Sequence, residues 1–311
     1  MADQSRKRIA VFLINPDNPH QQHLRAVAVR AAARLQAEVV VNFAGAESAG
    51  SSVIQIRQVH QILADKDKRF DAVVVHPVSG PGSERIVQNL ARAGFPCLII
   101  NRTSAGLQAV RQEFPNVLFC CISPDQVEIG RIQGQQFLRL HEGAGLLLYV
   151  QGPLLATAVQ QRLTGMREIL RSSKLQETLV GGDWLESKAA AAVDAWFSAN
   201  AAGSPRPAII GCQNDAMALG AYGALERLAT KRGDPSLKRI PVTGCDGAPD
   251  YGAVFVRQGK LAATVELEDP MEAAFGVLER YFNRGEMPPL EIQLAARSLP
   301  DLTVLQTVAK T

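Results

Sequence analysis

Short apolar runs alternate with longer stretches of helical period along nearly the whole chain. Runs of Val, Ile, Leu and Phe fall at 9–14, 38–43, 71–75, 97–100 and 117–122, then at 146–150, 178–181, 208–211, 240–244 and 261–267. Continuous runs of this length predict strands buried on both faces by helices, as in parallel sheets. Helical patterns separate them at 20–36, 52–65, 83–93, 126–141, 157–171, 187–199, 215–229 and 271–283. Ser187 precedes a run of strong helix formers, Lys188-Ala189-Ala190-Ala191-Ala192-Val193, and Ser187 and Ser83 are placed to cap the helices that follow. Such alternation predicts an α/β fold. Ten strands and about eight helices suit two doubly wound units, the first ending near Ser123-Pro124 and the second opening with the helix from Asp125. Arg232-Gly233-Asp234-Pro235-Ser236 is a loop by composition.

Composition narrows the class. With 311 residues, 47% of them hydrophobic, the chain can bury about two domain cores. Lys+Arg 33 against Asp+Glu 30 gives no field strong enough to imply a nucleic-acid or membrane partner. No apolar run reaches the ~18 residues of a membrane span. The run Ile9 to Ile14 is shorter and has a different context than a secretory signal, which needs about 7–15 apolar residues and a small-residue cleavage site. The chain as written therefore reads as cytoplasmic; a start placed further upstream would restore a periplasmic or extracellular location. Cys97, Cys120, Cys121, Cys212 and Cys245 lie in apolar runs, are odd in number and lack metal-ligand spacing, so they read as small buried hydrophobes.

In open α/β sheets, ligands bind beyond the carboxyl ends of the strands. The residues just after the apolar runs are Asn15-Pro16-Asp17-Asn18-Pro19-His20-Gln21, His76-Pro77, Asn101-Arg102 and Ser123-Pro124-Asp125. In the second half they are Gln151-Gly152, Asp183-Trp184, Gln213-Asn214-Asp215, Cys245-Asp246-Gly247 and Glu266 to Asp269. Amides, carboxylates, an arginine and a tryptophan suit a polar, hydroxyl-rich small molecule. Simpler roles compete. Asn214-Asp215 can cap the following helix, Asp246-Gly247 is a common turn pair, and Trp184 can be core. His20 and His23 read as residues of a surface helix rather than a metal pair.

Catalytic motifs are missing. There is no Gly-x-Ser-x-Gly elbow, phosphate loop or dinucleotide fingerprint, and Val78-Ser79-Gly80-Pro81-Gly82-Ser83 reads as an ordinary turn. No cofactor and no metal are expected.

Several segments carry a family likeness. Asn214-Asp215-Ala216-Met217-Ala218-Leu219-Gly220-Ala221, Val242-Thr243-Gly244-Cys245-Asp246-Gly247-Ala248-Pro249-Asp250, Arg162-Leu163-Thr164-Gly165-Met166 and Ala263-Thr264-Val265 stand in order. In them the chain, from about Arg8 to Thr307, resembles the type I periplasmic binding protein superfamily, in particular ribose-binding proteins and lac-repressor-like effector-binding cores. The resemblance implies two similar doubly wound parallel-sheet lobes joined by a three-segment hinge, with a ligand cleft between them. It implies one lobe of 1–124 plus 269–298 and another of 125–268 plus 299–311. The ligand positions it implies are Asn18, His20, Gln21, His76, Asn101, Arg102, Asp125, Gln160, Trp184, Asn214, Asp246 and Glu268, with Glu266 an alternative to the last. His20 and Gln21 replace the two aromatics of the ribose binders, His76 replaces an asparagine, and Cys245 replaces an aromatic. The acid of the family's Asp-Arg pair is here the amide Asn101, and Gln160 stands for an arginine. The polar frame for a sugar-like ligand is kept while the aromatic sandwich is thinned, which points away from ribose.

The expectation is thus a non-enzymatic protein that binds a small polar ligand, a sugar or sugar-like metabolite, with hinge closure. Two roles fit. One is the solute-binding component of a sugar ABC transporter, with a membrane permease as partner. The other is an intracellular sensor acting through a signalling protein, since no helix-turn-helix precedes the first strand and no direct nucleic-acid contact is expected. An enzyme on the same scaffold, using His20, His76 or Asp246 as acid–base groups, is the competing class.

Overall fold

In a computed structural model of the chain, which describes residues 6–45, 49–65, 69–78, 80–102, 106–154, 156–200 and 205–305, each apolar run becomes a strand. The first half runs β1 (Arg8–Leu13), α1 (Pro19–Arg34), β2 (Glu38–Phe43), α2 (Ala49–Ala64), β3 (Ala72–Val75), α3 (Gly80–Arg92), β4 (Cys97–Ile100), α4 (Leu107–Glu113) and β5 (Phe119–Pro124). Then follow α5 (Gln126–Leu140), β6 (Gly145–Gln151), α6 (Thr157–Leu170), β7 (Leu175–Gly181), α7 (Glu186–Ala199), β8 (Pro207–Cys212) and α8 (Asp215–Arg232). A short 3-10 turn (Pro235–Arg239) leads to β9 (Val242–Thr243), α9 (Gly252–Arg257), β10 (Thr264–Leu267), α10 (Pro270–Arg284), β11 (Glu291–Leu294) and β12 (Ala296–Leu299).

The chain divides into two units, 1–124 with 269–294 and 125–268 with 295–311. The first holds a parallel six-stranded sheet in the order β11-β5-β4-β3-β1-β2. Ile9, Val11 and Leu13 of β1 pack with α1 and α10 on one face, whereas Ala10 and Phe12 pack with α2, α3 and α4 on the other. This two-sided burial is why the strands are apolar throughout. The second unit holds a parallel sheet β7-β6-β8-β9, with α7 and α8 on one face and α5 and α6 on the other. β10 continues beside β9 through a bridge from Thr243 to Ala263 and pairs antiparallel with β12. Residues 295–298, grouped by resemblance with the first lobe, therefore sit in the second unit, because their β12 hydrogen bonds are to β10.

Some local expectations fail for clear reasons. Ser83 is buried inside α3, and Ser187 is the second residue of α7, whose cap position is Leu185, so neither serine caps. The turn expected at 78–83 is instead largely the start of α3; Ser79 lies outside the described residues. The caps are Asn18 on α1, Asp125 on α5, Asn214 on α8 and Asp269 on α10, each accepting from backbone N–H groups of the first turn. All five cysteines are free and buried.

Candidate functional site

The winding of each sheet reverses at one place. In the first unit β1 lies between β2 and β3, and in the second β6 lies between β7 and β8. The connections on either side of such a switch point leave in opposite directions and open a crevice at the carboxyl ends. In the first unit the crevice is bordered by the loop 14–18 after β1, the first turn of α1 and His76 after β3.

Here side chains span the switch point. Asn18 accepts at Oδ1 from the N–H groups of His20 (2.9 Å) and Gln21 (3.3 Å), which fixes the start of α1. Gln21, buried by that turn, accepts at Oε1 from Ile14 N–H (3.0 Å) and reaches across to His76 Nδ1, 3.0 Å from its Nε2. His76 is held at its backbone by Phe12 O and by Gln55, whose Nε2 donates to His76 O at 2.9 Å. Burial, the Arg102 guanidinium and His20 together hold the His76 imidazole well below the usual histidine range, so it is neutral. Arg102, after β4, donates from Nε to Pro77 O (2.7 Å), and Asn101, in the left-handed region at φ 59°, lies 3.3 Å from His20 Nε2 through Nδ2. The predicted positions His20 and Asn101 on one side and Gln21 and His76 on the other are thus joined by hydrogen bonds through Asn18, and Arg102 is tied to Pro77 beside His76. His23 differs from the surface reading. Its side chain is 11% exposed and its Nε2 lies 2.8 Å from Asp269 Oδ2, which ties α1 to α10. Burial opposes ionisation of Asp269, but His23 and the α10 N–H groups prevail and keep its carboxyl below the usual range.

In the second unit the switch point is lined by Gln151 at the end of β6, Gly152 after it, and Gln213-Asn214 after β8. Gln213 is fully buried; its Oε1 accepts from Gly152 N–H (3.0 Å) and its Nε2 donates to Val159 O (3.0 Å). Arg162 of α6 is buried, donates to Gln126 Oε1 at 2.8 Å and to Gln213 O, and places its guanidinium 5.7 Å from the Trp184 ring centroid. Asp183 and Trp184 both have positive φ, 49° and 61°. The indole lies so close over Gly152 that a Cβ there would be 2.3 Å from Trp184 Cε2. Asn214 caps α8 through Oδ1 and donates from Nδ2 to Trp184 O (3.2 Å), so capping and fixing Trp184 are one function.

Asp215, which the sequence offers only as a strand-end residue able to cap the next helix, does something else, since Asn214 is the cap. It is completely buried, accepting at Oδ2 from Gly247 N–H (2.8 Å) and at Oδ1 from Thr264 Oγ1 (2.6 Å). Burial and the neighbouring Asp246 push its carboxyl well above the usual range, against the pull of Thr264, Gly247 and Arg162. Gly244 and Gly252 make room for it, since a Cβ at either would stand 2.1 or 1.7 Å from its oxygens. Asp246, at φ 111°, is presented from the turn that Asp215 ties down. Arg162 was visible only as part of a motif; its packing on Trp184 and Gln213 makes it part of the site.

The remaining predicted positions are more peripheral. Asp125 caps α5 through Oδ1 (2.9 Å to Val127 N, 3.1 Å to Glu128 N). Gln160 is exposed on α6 and donates to Leu154 O. Glu268 is exposed where the chain passes between units, accepting from Ala295 N–H at 3.2 Å, while Glu266 accepts from Arg297 Nε at 2.5 Å. Among the described residues no group of three or more His, Cys, Asp or Glu is placed to hold a metal.

Residues 9–277 match the family model described as periplasmic binding protein domain. The chain belongs to this family. Among solved periplasmic binding proteins and their kin, a galactofuranose binding protein superposes with a TM-score of 0.78 at 19% identity, covering 94% of each chain. An ABC transporter solute binding protein from Bacillus halodurans with bound myo-inositol gives 0.77 at 22% identity, covering 97% of this chain and 98% of that one. These likenesses show the fold: two lobes of parallel sheet with flanking helices. In sequence, the xylitol-binding protein of Mycolicibacterium smegmatis is 28% identical over 71% of this chain, and a Rhizobium meliloti protein named for rhizopine binding is 24% identical over 63%. The matches span 58% and 60% of the length of those two relatives. For a periplasmic binding protein, the placement of the clusters at both switch points is where ligand-reading groups are expected. No helix among the described residues is long and apolar enough to cross a membrane.

Proposed function

We propose that the chain binds a small polyhydroxylated molecule, a sugar or polyol, and releases it unchanged. The observation that carries this is the chemistry at the two switch points. Each presents amide, imidazole, guanidinium or carboxylate groups already fixed by buried hydrogen bonds, the preorganised donors and acceptors that hydroxyl groups need. Trp184 supplies a flat apolar face backed by Arg162. The relatives point the same way: their names and bound molecules are xylitol, myo-inositol and galactofuranose. Thinning of the aromatic residues around the ligand positions favours polyols, cyclitols or furanoses over a pyranose held in a sandwich. Catalysis is disfavoured because the groups that could do it are spoken for. The neutral His76 is bound to an amide rather than a carboxylate, and burial pushes the Cys212 and Cys245 thiols upward, away from thiolate. Delivery to a membrane permease is the role that the ABC transporter relatives support.

The test is isothermal calorimetry and thermal shift against xylitol, myo-inositol, L-arabinose, D-allose and D-ribose. Binding in the micromolar range corresponds to about −8 kcal/mol, within reach of several charge-assisted and neutral hydrogen bonds. The expected result is one-to-one binding of at least one polyol or furanose-forming sugar, tighter than ribose, with the ligand recovered intact. No heat and no melting shift with any of them would overturn the reading.

A further inference from the structure

The Gln21–His76 pair carries a consequence for what the site can accept. Gln21 Oε1 is committed to Ile14 N–H at 3.0 Å, which orients the carboxamide so that its NH2 group faces His76 Nδ1 at 3.0 Å. An amide NH2 can only donate, so Nδ1 must be the acceptor and the ring proton must sit on Nε2. Gln55 fixes the backbone on either side, donating to His76 O (2.9 Å) and accepting from Val78 N–H (3.1 Å). Both glutamines are buried, at 5% and 1% exposure. Among the described residues no group takes the Nε2 proton.

We propose that Gln21 is a positioning residue that locks His76 as a permanent Nε2–H donor, making this switch point selective for a ligand group that accepts: a hydroxyl or carboxylate oxygen rather than an ammonium. This rests on the ligand-binding reading above and deepens it. The surroundings reinforce the choice. The charged and titratable groups facing His76 are Arg102 from the turn after β4 and His20 from α1, and both disfavour a second positive charge. A ligand ammonium there would meet one donor and one guanidinium with no acceptor from this ring. Because the donor proton is fixed by a neutral amide and not by ionisation, its presence does not change with pH across the neutral range.

The conservative variant Gln21→Glu reverses the lock while keeping an acceptor for Ile14 N–H. A carboxylate beside Nδ1 draws the proton to that nitrogen and raises the imidazole pKa. The Nε2 proton is then present only on the imidazolium at low pH and is lost as pH rises. Two readouts separate this proposal from the broader one. The first, 15N-resolved NMR of the histidine rings without ligand, is expected to show wild-type His76 as the neutral Nε2–H form from pH 6 to 8. Gln21→Glu is expected to show a titrating ring whose neutral form carries the proton on Nδ1. The second is calorimetry with myo-inositol at pH 6 and pH 8. Wild type is expected to be flat, Gln21→Glu to lose about tenfold on going to pH 8, and His76→Asn in the Gln21→Glu background to be flat again. A wild-type ring that titrates normally or carries its neutral proton on Nδ1 would overturn the proposal, as would an unchanged tautomer in Gln21→Glu. If wild type binds neither myo-inositol nor any other member of the panel, that result counts against the ligand reading alone, and the NMR result still decides the pair.

Discussion

Asp215 shows how much one buried side chain can organise. Its two oxygens hold Gly247 N–H and Thr264 Oγ1, and through Gly247 they set the turn that presents Asp246. Asp215→Ala would strand both donors in a dry interior and is expected to lower stability by about 2–3 kcal/mol, read from the urea midpoint. Asp215→Asn should be far milder, because the amide can donate to Thr264 Oγ1 and accept from Gly247 N–H, as a protonated carboxyl would. The pH dependence follows from the upward shift. An unfolded carboxyl ionises near pH 4, so above that value the unfolded state gains charge that the native site resists, and stability falls as pH rises toward the native pKa. Asp215→Asn lacks this penalty. Its stability relative to wild type is therefore expected to improve from pH 4 to pH 7; a difference independent of pH would show that Asp215 ionises normally in the fold.

At the scale of elements, the contact between α5 and α6 decides where Arg162 stands. A Cβ on Gly130 would lie 2.0 Å from Arg162 O, and one on Gly165 would lie 1.9 Å from Val127 O. The two backbones touch at a pair of glycines, which sets Arg162 against Gln126, Gln213 and Trp184. Gly165→Ala must part the helices. The expected cost is about 3 kcal/mol of stability, with a change in Trp184 fluorescence measured in a Trp196→Phe background. Unchanged emission would mean that Arg162 is positioned without that contact. The sequence made the long elements legible because two-sided burial leaves continuous apolar runs. It hid α4 and α9, which are under two turns long, and β11 and β12, whose Glu291-Ile292-Gln293-Leu294 and Ala296-Arg297-Ser298-Leu299 interleave polar residues where one side is open. The site was readable as strand-end residues, since topology alone brings those ends together. The hydrogen bonds between them were not: nothing in the spacing of Gln21 and His76, or of Asp215 and Thr264, announces that they meet.

For the whole molecule, the chain passes from one unit to the other at 124–125, 268–269 and 294–295, and each unit carries its own polar switch point. Glu268 and Ala295, one at each of two passages, are joined by a pair of hydrogen bonds, Glu268 N–H to Ala295 O at 3.0 Å and Ala295 N–H to Glu268 Oε2 at 3.2 Å. A bound ligand stabilises the fold that reads it by about 2.7 kcal/mol when present at a hundred times its Kd. The central claim is that the chain binds a small polyhydroxylated ligand through the polar groups at its strand ends. The most direct measurement is calorimetry with the tightest binder from the sugar and polyol panel on wild type, Arg102→Ala and Trp184→Ala. One-to-one stoichiometry for wild type and a loss of about tenfold or more in at least one variant are expected. No binding by wild type, or full affinity in both variants, would contradict it.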